Sequence, residues 1–443
     1  MLPLFCFTCK EGLAYCEALF PYRLFTMTNL NVTMCRSASI LFAVLSVLMS
    51  FTAQAGDRRR VTQPVSPPVC QRIYASNQSN IGPHIQQALN NCPPGRMVLL
   101  VPSPTVKTLT SGPLSLPSGV SLGVDKGAVL SAIPDPRLYD NGRGSCGKLD
   151  NQGNGCRAFI TLTHGHGSGI YGQGVIDGQG AASMAGEAQT WWQLAASARN
   201  DEAKQNVPRL IQIDHASDIT LYQITLKNAP NFHVVINDSQ GITLWGITID
   251  TPATARNTDG VDPMGSSDVT LINSRISTGD DNVAIKAGNA PASHISILNN
   301  QFGFGHGMSI GSEINRGVSD VLVDGLTLTG TTNGLRIKSD RSRGGQVRAI
   351  RYQNVCMQNV DNPVVMDTHY DTHASGTMIP DYRNITFDNV KTGKGKLTLD
   401  GYSEVYPLEM TLKNVTVGEQ ATIEERFAIV HGRFTRAPQT ACR

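Results

Sequence analysis

Residues Ser277–Lys286 read STGDDNVAIK, with two carboxylates, Asp280 and Asp281, side by side after Gly279 and just before an alternating apolar run. Adjacent like charges repel, and successive strand residues face opposite ways, so the pair is costly unless something nearby receives it. Taken alone, Gly-Asp-Asp is ordinary loop chemistry, a solvated turn. Asp259, His306, Arg336 and Lys338 lie near similar short apolar stretches and change that reading. Carboxylates grouped so that one is kept protonated by its negative neighbours can hydrolyse a glycosidic bond. One acid protonates the leaving oxygen while the ionised partners activate water or attack the sugar. Cations beside them suit a substrate that is itself anionic, such as a polymer of uronic acids, because a planar guanidinium grips a carboxylate with two hydrogen bonds.

These residues converge only if the chain stacks them. DITLYQITLKN at Asp218, GITLWGITID at Gly241, DVTLINSRIS at Asp268, HISILNNQF at His294, DVLVDGLTL at Asp320 and AIRYQNVCM at Ala349 each alternate apolar and polar positions. They recur every roughly 23 to 29 residues, the mark of a solenoid. The leucine and asparagine consensus of leucine-rich repeats is missing, so the fold class expected is all-β, a right-handed parallel β-helix with strands of adjacent coils about 4.8 Å apart.

A second strand per coil aligns by its own apolar positions: DGVDPM from Asp259, DNVAIK from Asp281, HGMSIG from His306, NGLRIK from Asn333 and NPVVMD from Asn362. The third column, Val261, Val283, Met308, Leu335 and Val364, and the fifth, Pro263, Ile285, Ile310, Ile337 and Met366, belong to the core. The fourth and sixth columns, with Asp262, Lys286, Ser309, Arg336 and Lys338, must face outward. The first column stacks Asp259, Asp281 and His306 on successive coils, with Asp280 one residue earlier at the turn.

Composition agrees with this reading and excludes others. The formal charge of +2 and pI near 8.0 give no reason to expect a nucleic acid partner. Only 16% of residues are charged and 43 are glycine, a mixture favouring strands and tight turns. Arg36, the apolar run SASILFAVLSVLMSFT and the small-residue end AQA at Ala53–Ala55 read as an export signal within residues 1–55. The run is too short to span a bilayer comfortably, so no membrane association is expected after cleavage. Translation is expected to begin at Met27 or Met34, and residues 56–443 to form a single catalytic domain. Cys70 with Cys92 and Cys146 with Cys156 are expected to form local disulfides, their spacing lacking the CxxC of a zinc site. Cys356 is read as a buried thiol, and Cys442 is unassigned.

At its motifs the sequence resembles glycoside hydrolase family 28, the polygalacturonases: NTDG at Asn257–Gly260, GDD at Gly279–Asp281, GHGMSIGSE at Gly305–Glu313 and RIK at Arg336–Lys338, in order. The resemblance extends from about Cys70 to near the C-terminus and is greatest to secreted bacterial endopolygalacturonases. It implies Asp280 as general acid, Asp259 and Asp281 activating water in an inverting mechanism, and His306 tuning the acid or organising the site. It implies Asn257 as an orienting residue, Arg336 and Lys338 as binders of a galacturonate carboxylate, and Tyr370 as a substrate contact. Stacking carboxylates about 5 Å apart would instead suggest retention by the usual separation rule. Many fungal members carry a cysteine after the paired aspartates, where Asn282 stands here. The resemblance implies neither cofactor nor metal, a monomer, and polygalacturonate or pectin as partner. Pectate lyases, rhamnogalacturonan hydrolases and non-catalytic β-helix adhesins remain the alternatives.

Overall fold

The computed structural model describes residues 55–438 and 442, so the export-signal reading lies outside the described residues but for Ala55. Alternating apolar residues send every second side chain inward, and the strands stack coil upon coil. One ladder holds 11 parallel strands and a larger one 23, which together enclose an apolar interior. Crossover connections between parallel strands of one sheet are right-handed as a rule, and the chain is a right-handed parallel β-helix.

The expected columns are the observed registers. In the larger ladder Leu221 pairs with Leu244, Leu244 with Leu271, Leu271 with Ile297 and Ile297 with Val323. In the smaller one Val261 pairs with Val283, Val283 with Met308, Met308 with Leu335 and Leu335 with Val364. All five of these third-column side chains are buried. Shielding such side chains from water is the main stabilising term of a solenoid, each contributing about 1.5–3 kcal/mol.

Besides the short helix Pro136–Tyr139, two ten-residue helices among the described residues serve the coils. Gly82–Asn91 packs Ile85 and Leu89 onto the N-terminal strands. Trp191–Asn200 begins at a capping box in which Thr190 accepts from the Gln193 amide and the Gln193 side chain accepts from the Thr190 amide. Its Trp191 is buried edge-on against Tyr139, and Arg256 Nη1 donates to the Ala195 carbonyl, tying this helix to the segment that leads into Asp259.

Cys70–Cys92 and Cys146–Cys156 are disulfides, as expected. The reading of Cys356 as a buried thiol is corrected: it bonds Cys442, with Cα atoms 5.6 Å apart across a sequence separation of 86. Cys356 occupies a half-buried position between the core residues Val355 and Met357, so its sulfur lies outside the apolar interior, where the chain end reaches it.

Candidate active site

The turn that carries the paired aspartates is built to bring the chain close to its neighbour. A Cβ at Gly279 would collide with the Ala255 carbonyl, so only glycine fits there. The Gly279 amide donates to Thr258 Oγ1 at 3.0 Å, and Thr278 Oγ1 donates to the Asp280 carbonyl at 2.8 Å. Behind the pair, fully buried Asn282 donates to the carbonyls of Ile276 and Phe304, both at 3.0 Å, and accepts from the Gly307 amide at 2.8 Å. One amide side chain thus joins the two coils that carry Asp281 and His306.

The two aspartates sit in opposite environments. Asp280 is partly exposed, and its Oδ1 lies 2.9 Å from His306 Nδ1, while the His306 amide donates to the Asp280 carbonyl at 2.8 Å. Asp281 is buried, with 2% of its side chain exposed. Its Oδ1 accepts from Ser309 Oγ at 2.9 Å and from the Arg336 guanidinium, and its Oδ2 accepts from Lys338 Nζ at 3.0 Å. Arg336 Nε donates to Ser309 Oγ at 3.0 Å, so serine and guanidinium brace each other. Burial raises the Asp281 carboxyl, but the charges of Arg336 and Lys338 outweigh it and bring it to about 2. Asp281 therefore stays ionised throughout the working range.

Asp259 is handled differently. Its Oδ2 lies 3.4 Å from Lys286 Nζ, which also reaches Asp262 Oδ2 at 3.1 Å. Burial first, then the charges of Asp262 and Asp280, push Asp259 well above the ordinary carboxylate range, with Lys286 opposing. Burial likewise raises Asp262 to about 6. The Asp259 carbonyl is gripped by His233, from the amide at 2.8 Å and from ring Nδ1 at 3.0 Å. Full burial lowers His233 to about 4, so the ring is neutral. A neutral ring that donates from Nδ1 must accept at Nε2, where Thr251 Oγ1 stands 2.7 Å away.

The structure thus unites Asp280, Asp281, His306, Arg336 and Lys338, with Asp259 coupled to them by charge. Tyr370 borders the group: it is 44% exposed, and Lys338 Nζ lies 5.1 Å over its ring. Asn257, at φ 56°, accepts from Gln205 Nε2 at 3.0 Å and pairs with none of the acids. A polar cleft of about 860 Å³ adjoins the site, lined in part by Gln205, Arg209, Phe232, Arg256, Asn257 and Glu313. Ligand atoms of Asp280, Asp281 and His306 lie within 4.8 Å of one another, a spacing that a cation could use. Both Asp281 oxygens already meet cationic side chains, however, whose charge opposes a metal and suits proton transfer instead.

One part of the sequence reading is corrected. The fourth and sixth columns do point away from the apolar interior, but Asp262, Lys286, Ser309, Arg336 and Lys338 are 0–9% exposed. Stacked on neighbouring strands, they shield one another from water in a charged layer. Asp262, Lys286 and Ser309 were among those columns without being assigned to the site; the signal was that each of these successive coils sets a polar residue at its fourth or sixth position, although Ala284 and Gly311 interrupt the single columns. His233, in NAPNFHVV, carried no such signal.

A solenoid floor holding a buried, cation-paired carboxylate beside a solvent-facing acid and histidine defines a glycoside-hydrolase type of centre. Residues 127–431 match the family model for Glycosyl hydrolases family 28, and the chain belongs to that family of enzymes. It is 50% identical over 378 residues to an endo-polygalacturonase of Pectobacterium carotovorum subsp. carotovorum, covering 85% of this chain and 93% of that one. A polygalacturonase of Ralstonia solanacearum is 38% identical over 429 residues, covering 83% of this chain and 81% of the other. A solved polygalacturonase from Erwinia carotovora ssp. carotovora superposes with a TM-score of 0.82 at 48% identity, over 85% of this chain and all of that one.

Proposed function

We propose that the chain is an endopolygalacturonase that hydrolyses internal α-1,4 bonds of polygalacturonate. The observation that carries this reading is the division of labour between the adjacent aspartates: one is open and joined to an imidazole, the other is buried and held ionised by two cations. The 50% identity to an endo-polygalacturonase supports the substrate.

In this reading Asp280 donates a proton to the leaving oxygen, with His306 fixing its Oδ1. Asp281 and Asp259 activate the water. Both oxygens of Asp281 are engaged by Ser309, Arg336 and Lys338, which makes it a poor nucleophile toward carbon and a good anchor for water, in keeping with inversion. Arg336 and Lys338 present positive charge to the substrate carboxylate, and Tyr370 borders the same sugar. Asn257, through Gln205, orders the wall of the cleft.

The apolar segment ending at Ala55 and the three disulfides support an exported protein, and the mature chain acts as a single catalytic domain and a monomer. Among the described residues no helix is long and apolar enough to cross a membrane.

Digestion of polygalacturonate, followed by viscosity and by reducing ends, tests the reading. Internal cleavage collapses viscosity long before many ends appear. An ultraviolet-absorbing unsaturated product that disappears with chelator would assign elimination instead, and a proportional fall in viscosity would assign attack from chain ends.

A further inference from the structure

Lys286 is a buried ammonium that touches two buried carboxylates, Asp259 Oδ2 at 3.4 Å and Asp262 Oδ2 at 3.1 Å, and lies 4.6 Å over the Phe232 ring. We infer that Lys286 and Asp262 are positioning residues for the hydrolysis, together setting the orientation and the ionisation of Asp259. The inference rests on Asp259 as a water-activating carboxylate.

The arrangement has one cation for two acids, all three buried, with 11% of the Lys286 side chain, 5% of Asp259 and none of Asp262 exposed. With both acids ionised, the trio would carry a net negative charge in a medium that penalises it; with one proton retained, it is neutral. Oδ1 of Asp259 and Oδ1 of Asp262 are both buried with no hydrogen-bond partner among the described residues, so either can hold that proton without breaking an existing bond. The surrounding groups sharpen the balance. Asp280 and Asp281 add negative charge from the next coil, with Arg336 and Lys338 already matched to Asp281. Arg209 acts on Asp262 from two coils before it, and Glu313 acts on Lys286 from the coil beyond. His233 is neutral and touches Asp259 at its backbone carbonyl, not its carboxylate, with Nε2 turned to Thr251 Oγ1. Asp259 and Asp262 therefore titrate as a pair, and the pair sets the pH below which water can no longer be activated.

The two neighbours must then act on Asp259 in opposite senses, which a merely structural role would not produce. Asp262→Asn keeps the shape and removes a negative neighbour, so the acidic limb of the kcat/KM profile moves to lower pH by about one unit or more. Lys286→Met removes the positive neighbour, and the limb moves up by a similar amount. Lys286→Arg keeps the limb in place, and the double variant Asp262→Asn with Lys286→Met returns it toward the parent position, with thermal melting reporting folding in each case. Limbs that stay put in Asp262→Asn and in Lys286→Met, or shifts of the same sign in both single variants, overturn the inference. Asp259→Asn separates the two levels: loss of turnover there with unmoved limbs elsewhere defeats this inference alone, whereas retained turnover in Asp259→Asn defeats the assignment of Asp259 itself.

Discussion

Lys338 Nζ stands 3.0 Å from Asp281 Oδ2 and 5.1 Å above the Tyr370 ring, so one ammonium links a buried carboxylate to the exposed edge of the site. A side chain read from the sequence as a substrate contact is thus also a counterion of the residue proposed to hold the water. Its removal should touch binding and chemistry together. Lys338→Ala is expected to raise KM for polygalacturonate and lower kcat, while Arg336 still compensates Asp281 in part. Steady-state kinetics beside a thermal melt check this, and an unchanged KM and kcat would remove Lys338 from the site.

Asp280→Asn should leave folding and oligosaccharide binding nearly intact while turnover falls by about two to four orders of magnitude, the range for losing general acid catalysis. An activated aryl galacturonide, if accepted, needs no protonation and should rescue this variant but not Asp281→Asn. Rescue of Asp281→Asn instead would exchange the two roles.

The buried groups of the site contribute to stability with opposite pH dependences. Asp281, drawn down to about 2, contributes stability that is present above the ordinary carboxyl pKa of about 4 and lost as pH falls toward 2. Asp262, raised to about 6, acts oppositely: between about pH 4 and 6 the folded chain keeps a proton that the unfolded chain releases, so stability declines as pH rises through that window. Buried His233, lowered to about 4, opposes this by favouring the folded chain as pH rises from about 4 to 6.5, and raised Asp259 adds to the decline, so the readable sign is a difference: in calorimetric melts across pH 2 to 8, Asp262→Asn should gain stability relative to the parent as pH rises from about 4 to 6.

Asn282→Ala leaves the Gly307 amide unpaired in a buried turn and takes one of two donors from each of the Ile276 and Phe304 carbonyls, which keep the Gly303 and Thr278 amides. A loss of about 1–3 kcal/mol is expected, read from denaturant unfolding, with a fall in kcat because the same turn carries Asp280 and Asp281.

Mass spectrometry of the unreduced protein should find Cys356 joined to Cys442, beside the two shorter loops. In the chain-entropy account a loop with a sequence separation of 86 contributes about 4 kcal/mol, so Cys442→Ser should lower the melting temperature measurably.

By itself the sequence determined the coil, because a period of two is a local property: each apolar residue in the columns of Val261 and Pro263 declares its own face, and register follows from aligning those residues alone. The same alignment carried Asp259, Asp280, Asp281, His306, Arg336 and Lys338 to one patch. Only the tertiary structure decided how their charges divide. Facing away from the core does not mean facing water, and whether Lys286 serves Asp262 and Asp259 while Lys338 serves Asp281 depends on side-chain directions across neighbouring coils and on the segments that cover them. Likewise Cys356 met Cys442 because the chain end returns to the helix wall, a long-range event that leaves no local pattern. Periodicity is short-range information, whereas charge pairing, burial and protonation arise from a packed environment drawn from many coils at once.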